Sequence, residues 1–361
     1  MSDVKELDIH GWEKVYVKEL YGGYIAIIAI HNTNRGPALG GCRFHHYDNH
    51  PAKQMLALED ALRLSRGMTY KAAAANLPLG GGKAVIIRDF YEPLPGVRRN
   101  LFHSFGDFVE SLKGKYITAE DVGTTTDDMV YVHERTSHVV GLPENDGGLG
   151  DPSPVTAIGI AEAIRWFKEN IFKREPSEIS VLVQGLGKVG SYLMDFLHEA
   201  GYKLLYTDVS QKKIEEIAKK YPDAQYVQPD DVFDVEVDIF SPNALGKVIN
   251  HESVDKIKAK AVVGAANNQV ENRHVAQRLH DRGILYAPDY TINLGGLTLV
   301  YYEYEYRHGK IDTQEKARQI AIEKTKENVW KNLDEIIPLS IEKNISPYIL
   351  ADEIMEKRWK K

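Results

Sequence analysis

The chain has a single cysteine, Cys42, among 361 residues. That excludes an intramolecular disulfide and fits a reducing compartment. Long apolar runs are missing: the longest, Tyr24-Ile-Ala-Ile-Ile-Ala-Ile30, is far too short to span a bilayer. The opening Met1-Ser-Asp-Val-Lys-Glu has no apolar region of a signal peptide. These absences set the expectation of a cytoplasmic protein with no membrane partner. There is no excess of positive charge either; the formal net charge is -7, which argues against a nucleic-acid partner. Metal patterns are lacking. His133-Glu134 and His138 miss the HExxH zinc spacing by one residue, there is no paired-cysteine motif, and no metal is expected. A Gly-x-Ser-x-Gly nucleophile elbow is absent. No internal repeat and no low-complexity tract is visible, and Asn344-Ile-Ser reads as a chance sequon.

What is present suits an α/β enzyme of two domains, since about 100–200 residues make one domain and 43% apolar residues fill ample cores. Tyr24–Ile30 reads as a buried strand, rich in β-branched residues. Residues 51–66 read as a helix from Pro51 to Arg66, with Met55, Leu56, Ala57, Leu58, Leu62 and Leu64 on one broad side. A strand at Ala84-Val-Ile-Ile87 is stopped at Asp89 and the Pro93/Pro95 loop. A helix over 97–112 and a short strand at Tyr116-Ile-Thr-Ala119 follow. Thr125-Thr-Asp-Asp opens a further helix, because Thr and Asp serve as caps. The Gly-, Pro- and Asp-dense segment 141–154 reads as the interdomain linker. Ser153 as N-cap and Pro154 in the first turn start the next helix, through Trp166. Strands and helices then alternate from Ile179 to about Pro288, the pattern of a parallel doubly wound sheet. The chain is mostly helical and charged beyond Asp312. In Tyr301-Tyr-Glu-Tyr-Glu-Tyr306 the tyrosines are expected to pack on a neighbouring element.

Within the alternating region, the apolar strand Ile179–Val183 runs into Gly185-Leu186-Gly187-Lys188-Val189-Gly190. An amphipathic helix over 191–199 and a second strand, Lys203–Thr207, follow, and that strand ends at Asp208. This is the context a dinucleotide fingerprint needs. Gly185 makes the tight turn, Gly187 admits the pyrophosphate and Gly190 lets the helix pack closely. The helix N-terminus offers N–H groups and partial positive charge. Asp208 can accept the ribose hydroxyls and repels a 2′-phosphate, which favours NAD over NADP.

A second constellation is Lys71-Ala-Ala-Ala-Ala-Asn-Leu-Pro-Leu-Gly-Gly-Gly-Lys83, two lysines around a triple glycine that lets backbone approach a ligand. It is not a phosphate-binding GxxxxGK[ST] loop, because Leu77 stands where a glycine is needed and Ala84 follows Lys83. A glycine turn with two solvated lysines is the plain alternative. One lysine can bind an anionic substrate group while the other, near a cation in a partly dry cleft, loses proton affinity and serves as a base near neutral pH. Downstream, Glu120-Asp121 ends a strand. An aspartate beside the amine can hold an ammonium or imine nitrogen. Two lysines and an aspartate are the parts for converting an amino acid to a 2-oxo acid.

Several segments converge on one resemblance: Gly36-Pro-Ala-Leu-Gly-Gly41, Gly67-Met-Thr-Tyr-Lys71, Gly80-Gly-Gly-Lys83, Ile117-Thr-Ala-Glu-Asp-Val-Gly-Thr124, Pro152-Ser-Pro-Val-Thr156, Gly264-Ala-Ala-Asn-Asn268 and Ala287-Pro-Asp-Tyr-Thr-Ile-Asn-Leu-Gly-Gly296. Ordered over most of the chain, they resemble the Glu/Leu/Phe/Val amino-acid dehydrogenases, those of the leucine type most closely. The resemblance implies an N-terminal α/β catalytic domain with a mixed sheet and a Rossmann-type doubly wound NAD-binding domain, the active site in the cleft joining them. It places these domains at 1–143, with helices 330–361 packing back, and at 144–329.

Residue by residue, the resemblance assigns Lys71 to the substrate carboxylate, helped by the backbone of Gly40 and Gly41. It assigns Lys83 and Asp121 to catalysis, Thr156 to the nicotinamide amide, and Asn267 to both cofactor and substrate. The implied reaction is reversible oxidative deamination of an amino acid to a 2-oxo acid, ammonium and NADH. In it Lys83 assists water attack on the imine and Asp121 handles the nitrogen protons. Leu39, Ala119, Leu297 and Val300 match the side-chain pocket. All are apolar, so a second substrate carboxylate would be buried unpaired, and leucine, valine or isoleucine fits better. After Gly296 the chain departs from the leucine enzymes, so a phenylalanine- or tryptophan-preferring enzyme stands as the alternative. A catalytically silent NAD-binding regulator stands as another. Family members form homo-oligomers, commonly dimers or octamers, and self-association is implied by the same resemblance.

Overall fold

The computed structural model describes residues 3–47, 52–88 and 92–360. The chain divides into two compact units: residues 1–150 with 300–319 and 356–361, and residues 151–299 with 320–355. The change of unit after Gly150 lies a little beyond the expected 143/144.

The first unit is built on six strands: β1 (Lys5–Leu7), β2 (Lys14–Glu19), β3 (Ile25–Asn32), β4 (Ala38–His46), β5 (Gly80–Arg88) and β6 (Tyr116–Glu120). Their order in the sheet is β1-β2-β3-β5-β4-β6. The pairs from β1 to β5 are antiparallel, whereas β4 runs parallel to both β5 and β6. Side chains alternate across the strands, and each face has its own cover. Helix α1 (Lys53–Ala74) lays Ala57 and Ala61 over Val15, Ile27, Ala29, Val85 and Ile87. On the opposite face α2 (Pro95–Ser111) and α3 (Thr126–His133) bring Phe102, Phe105, Met129 and Val132 against Ile28, Phe44, Ala84 and Ile86. Burial on both sides is why β3 reads as an unbroken apolar run.

Helix α1 runs past Arg66 and through Gly67, because the alanines that follow are strong helix formers. It ends where Asn76 takes a left-handed φ of 50°. The expected start at Pro51 and stop at Asp89 lie outside the described residues. Thr125 caps α3 as anticipated, with Asp128 completing a capping box.

The second unit begins with α4 (Ser153–Phe167). Ser153 is its first helical residue rather than its cap; the Ser153 amide donates to Asp151 Oδ1 at 3.0 Å, so the aspartate satisfies the terminal N–H. Then come β7 (Ser180–Gln184), α5 (Lys188–Glu199), β8 (Lys203–Thr207), α6 (Gln211–Lys220), β9 (Gln225–Tyr226), β10 (Ile239–Pro242), β11 (Ala261–Val262), α7 (Arg273–Asp281), β12 (Leu285–Tyr286) and α8 (Asp289–Ile292). The sheet order is β12-β11-β10-β7-β8-β9, with every pair parallel. Counted from β7, this is the doubly wound order of a dinucleotide-binding fold, with its switch point between β7 and β10.

Three helices complete the chain: α9 (Gly295–Arg307), α10 (Gln314–Lys343) and α11 (Pro347–Trp359). The tyrosine run 301–306 lies on α9. Most of α10 counts with the second unit, although residues 330–361 were expected to return to the first. The reason is polar anchoring. Trp166 Nε1 donates to Asp334 Oδ1 at 2.7 Å, Trp330 Nε1 to Glu162 Oε2 at 2.9 Å, and Asn332 Nδ2 to the Thr291 carbonyl at 2.9 Å. Only residues 356–361 return, and there the Trp359 ring stands edge-on to His31 at 5.3 Å.

Candidate active site

In the first unit, Lys83 Nζ lies 2.9 Å from Asp121 Oδ1. The lysine projects from the middle of β5 and its side chain is 6% exposed; Asp121 directly follows β6 and its side chain is 23% exposed. The aspartate is fixed by its turn: its amide donates to Thr124 Oγ1 at 2.8 Å, and the Thr124 hydroxyl donates back to the Asp121 carbonyl at 2.9 Å. Burial pushes the Lys83 amine below its ordinary value, and Asp121 only partly restores it. Burial alone would raise the Asp121 carboxyl, but Lys83 and Arg43 outweigh it and hold the group below the usual carboxylate range. The pair is therefore an ionised carboxylate beside an amine that gives up its proton more readily than a solvated lysine.

The triple glycine is strand, not turn. Gly80, Gly81 and Gly82 are buried in β5, where the missing side chains make room for neighbouring backbone and for the Tyr116 ring. A Cβ at Gly81 would fall 2.2 Å from the Thr69 amide of α1, and one at Gly82 would fall 2.6 Å from the Tyr116 ring. Close seating of α1 follows, and α1 carries the half-buried Lys71 in its last turn. Gly40 and Gly41 are equally confined. A Cβ on Gly40 would meet the Gly82 carbonyl at 1.8 Å, and one on Gly41 would meet the Asp121 Cβ at 2.8 Å. Register sets Leu39 beside Gly81 and Ile117, and Ala119 beside Gly41. Adjoining strands β4, β5 and β6 thus carry Leu39, Gly40, Gly41, Lys83 and Ala119, with Asp121 just past the end of β6.

In the second unit the fingerprint glycines divide their work. Gly185 takes φ 94°, and a Cβ there would press on Ala244 at 2.8 Å; one on Gly190 would strike the Gly185 carbonyl at 1.9 Å. Gly187 differs: an added Cβ meets no heavy atom within 4 Å among the described residues. It precedes α5 and has no side chain to cap the first N–H groups, which leaves them available to an anion. Asp208 Oδ2 accepts from the Leu186 amide at 2.6 Å and Oδ1 from the Ser210 amide at 2.8 Å, so the acid at the end of β8 also holds the glycine loop. Lys188 is exposed and 3.7 Å from Asp151, and Val189 is half-buried. The open backbone at Gly187 and the acid at Asp208 fit a dinucleotide.

Asn267 is exposed in the loop after β11. Asn293 Nδ2 donates to its Oδ1 at 2.9 Å and to the Ala265 carbonyl at 3.0 Å, which fixes the Asn267 side chain by its acceptor end. Thr156, half-buried on α4, donates to the Pro152 carbonyl at 3.1 Å. A Cβ on Gly295 would fall 2.3 Å from the Val155 carbonyl, so glycine there lets α9 start against α4. Leu297, buried, and Val300, half-buried, are one turn apart on α9.

Two charged residues at the first site were not singled out from the sequence. Arg43 Nε donates to Asp121 Oδ2 at 3.0 Å, and its Nη1 donates to Asp60 Oδ2 at 2.8 Å. An arginine two residues beyond the Gly40-Gly41 pair was the available signal. In the second unit Val209 and Leu245 are 93% and 81% exposed. They follow the ends of β8 and β10, where an apolar ligand face would find them.

A doubly wound unit with an open glycine loop, and a unit holding a buried amine–carboxylate pair, define a nucleotide-dependent oxidoreductase. Comparison with known proteins gives its family. Residues 17–138 match the model described as "Glu/Leu/Phe/Val dehydrogenase, dimerisation domain", and residues 202–345 that of "Glutamate/Leucine/Phenylalanine/Valine dehydrogenase". The leucine dehydrogenase of Bacillus subtilis is 40% identical over 361 residues, covering 99% of this chain and 94% of that one. The phenylalanine dehydrogenase of Caldalkalibacillus thermarum is 42% identical over 368 residues, with 100% and 95% covered. The crystal structure of the L-tryptophan dehydrogenase of Nostoc punctiforme superposes with a TM-score of 0.81 at 38% identity, covering 97% of this chain and 96% of that one. The chain belongs to the Glu/Leu/Phe/Val dehydrogenase family. It is an amino-acid dehydrogenase, an oxidoreductase acting on a CH–NH2 group with a nicotinamide cofactor.

Proposed function

We propose that this chain catalyses the NAD-dependent, reversible oxidative deamination of an apolar L-amino acid of the leucine, valine and isoleucine class. The observation that carries this reading is the buried Lys83–Asp121 pair, 2.9 Å apart, with Lys83 inside β5 and Asp121 just past β6. Lys71 would bind the substrate α-carboxylate, with the Gly40 and Gly41 backbone beside it. Asp121, kept ionised, holds the α-nitrogen and carries its protons. Lys83, its proton affinity lowered by burial, takes the proton from water as that water adds to the imine carbon, and returns it as ammonium leaves.

Gly185–Gly190, Asp208, Thr156 and Asn267 would hold the cofactor, whose nicotinamide ring supplies the acceptor for the α-hydride. The negative charge of Asp208 favours NAD over NADP. Holding the reactants in one dry site is worth ~7–11 kcal/mol of barrier in favourable cases. Leu39, Ala119, Leu297 and Val300 are apolar and would line the side-chain pocket, where a second carboxylate is costly. The relatives named for leucine, phenylalanine and tryptophan all act on apolar amino acids, in keeping with this choice. Residues 17–138 match a model described as a dimerisation domain, which supports a homo-oligomer, a dimer or an octamer.

A panel of L-amino acids assayed with NAD and with NADP, following reduced cofactor by absorbance, tests the proposal. Turnover of leucine, valine or isoleucine with NAD is expected. Turnover of phenylalanine or tryptophan alone would replace the substrate class. No turnover of any amino acid would overturn the reading.

A further inference from the structure

We propose that Arg43 is a positioning residue for the reacting pair, a fixed cation that clamps Asp121 from the side opposite Lys83 and is itself held in place by Asp60. The proposal rests on the roles given above to Lys83 and Asp121. On β4, Arg43 is a bridge between two carboxylates. Its Nε donates to Asp121 Oδ2 at 3.0 Å and its Nη1 to Asp60 Oδ2 at 2.8 Å, with the arginine side chain 19% exposed. Asp60, on α1, is secured in turn by the Tyr47 hydroxyl at 2.9 Å and by Arg63 Nη2 at 2.8 Å. The guanidinium is thus anchored at its far end by a carboxylate that has two other partners.

The arrangement answers a problem that a lone lysine–aspartate pair cannot solve. When Lys83 is protonated, Asp121 faces a cation and stays ionised. When Lys83 gives up its proton, a buried carboxylate with no other cation regains proton affinity, and the proton tends to remain shared within the pair. Arginine does not deprotonate in proteins. With Arg43 on Oδ2, Asp121 keeps a cationic partner in both states of the lysine, and Oδ1 stays aimed at Lys83. The same positive charge disfavours the protonated amine, so Arg43 favours neutral Lys83 beside ionised Asp121 on both counts.

Other groups adjoin this cluster. The buried Cys42 of β4 packs on the other face of the sheet, with Ala84 and Ile86; its charge couples to Lys83 and Asp121, but burial pushes the thiol well above its ordinary value. His45, further along β4, is lowered by burial and by Arg43. Asp60 is held low because Arg63, Tyr47 and Arg43 outweigh its burial, and Tyr47 is pushed well above its ordinary value by burial and by Asp60. Apart from Lys83, then, His45 is the group whose ordinary range lies nearest neutrality, and its shift carries it away on the acid side. A change in the neutral-to-alkaline limb on altering Arg43 reports the Lys83–Asp121 pair.

The test compares Arg43→Gln and Arg43→Lys with the wild-type enzyme. The readouts are the pH dependence of kcat/KM for amino-acid oxidation, NADH binding by fluorescence and the thermal midpoint. Arg43→Gln removes the fixed charge. It is expected to lower kcat by ~10²-fold and to move the rising limb upward by about one pH unit, with NADH binding unchanged. Arg43→Lys keeps the charge but not the two-pronged bridge. Its limb is expected to stay near the wild-type position while kcat falls by ~10-fold. A glutamine variant with an unmoved limb, or a lysine variant with wild-type kcat, overturns the proposal; the second result decides the matter even if the glutamine variant does not fold. Lys83→Ala separates the two readings. If it is inactive while Arg43→Gln leaves the limb in place, only the role of Arg43 fails. If Lys83→Ala turns over normally, the reading of the pair fails first.

Discussion

Asp208 and Leu186 are joined by a 2.6 Å hydrogen bond from the leucine amide to the carboxylate, while the other carboxylate oxygen takes the Ser210 amide. One side chain therefore sets both the shape of the glycine loop and the charge at the end of β8. Asp208→Asn removes the charge and leaves one oxygen for two amides. The ratio of kcat/KM for NAD to that for NADP should fall by ~10-fold or more, with stability reduced by ~1 kcal/mol. Asp208→Ala should relax the ratio similarly but weaken both cofactors. Steady-state kinetics with the two cofactors is the check; an unchanged ratio contradicts the role of the charge.

Two glycines, each in a motif, should respond to alanine in opposite ways. A Cβ at Gly40 would overlap the Gly82 carbonyl at 1.8 Å. Gly40→Ala must therefore part β4 from β5, at a cost of ~3 kcal/mol or more, read as a fall in thermal midpoint or in soluble yield. Gly187 has a φ of -65°, which alanine adopts without strain, and an added Cβ there meets no described heavy atom within 4 Å. Gly187→Ala should keep the wild-type midpoint and lose NADH affinity by ~10-fold, because the methyl group enters the space of the pyrophosphate. An equal loss of stability in both variants would contradict the assignment.

Acid stability should depend on His31. The ring is 7% exposed, lies edge-on to Trp12 and Trp359, and shares a 2.8 Å hydrogen bond with Thr69 Oγ1. Burial first, and then Arg66, lowers it to about 4. An unfolded histidine titrates near 6.5, so between about pH 6.5 and about 4 the unfolded chain binds the extra proton. The neutral folded form thus contributes stability that is fully present above that window and is lost as pH falls through it. The loss is at most ~3 kcal/mol, less where solvent screens the ring. Urea midpoints of wild type and His31→Gln across this range should differ in slope, the variant being flatter. Parallel slopes would contradict the assignment.

Much of this architecture is written in local pattern. The strand–glycine–helix–strand run from 179 to 208 could be read because each of its signals is local: an apolar run, three spaced glycines, a terminal acid. The doubly wound order follows from the alternation. Lys83 and Asp121 were legible as types of residue, and their chemistry suggested that they belong together. Other features depend on contacts between distant residues. The triple glycine looks like a turn, yet it is a strand interior because Thr69 and Tyr116 occupy the missing side-chain space. Arg43 and Asp60 are seventeen residues apart on different elements, and no periodicity links them. In the 301–306 run the tyrosines draw the eye, but Glu303 has the structural task. Only 1% exposed, its carboxylate accepts the amides of Gly141, Leu142 and Leu149 at 2.8, 3.1 and 3.4 Å, gathering the loop that precedes residue 151. Burial raises that carboxyl despite these bonds. A buried acid inside an aromatic stretch cannot be told from an exposed one until its partners are known.

The measurement that bears most directly on the central claim is oxidation of the preferred amino acid by Lys83→Ala, read beside NADH binding by the same preparation. Turnover should fall by ~10³-fold or more while NADH affinity stays within about twofold of wild type, as expected for loss of a base that touches only the substrate. A folded variant that oxidises the amino acid at the wild-type rate would contradict the account.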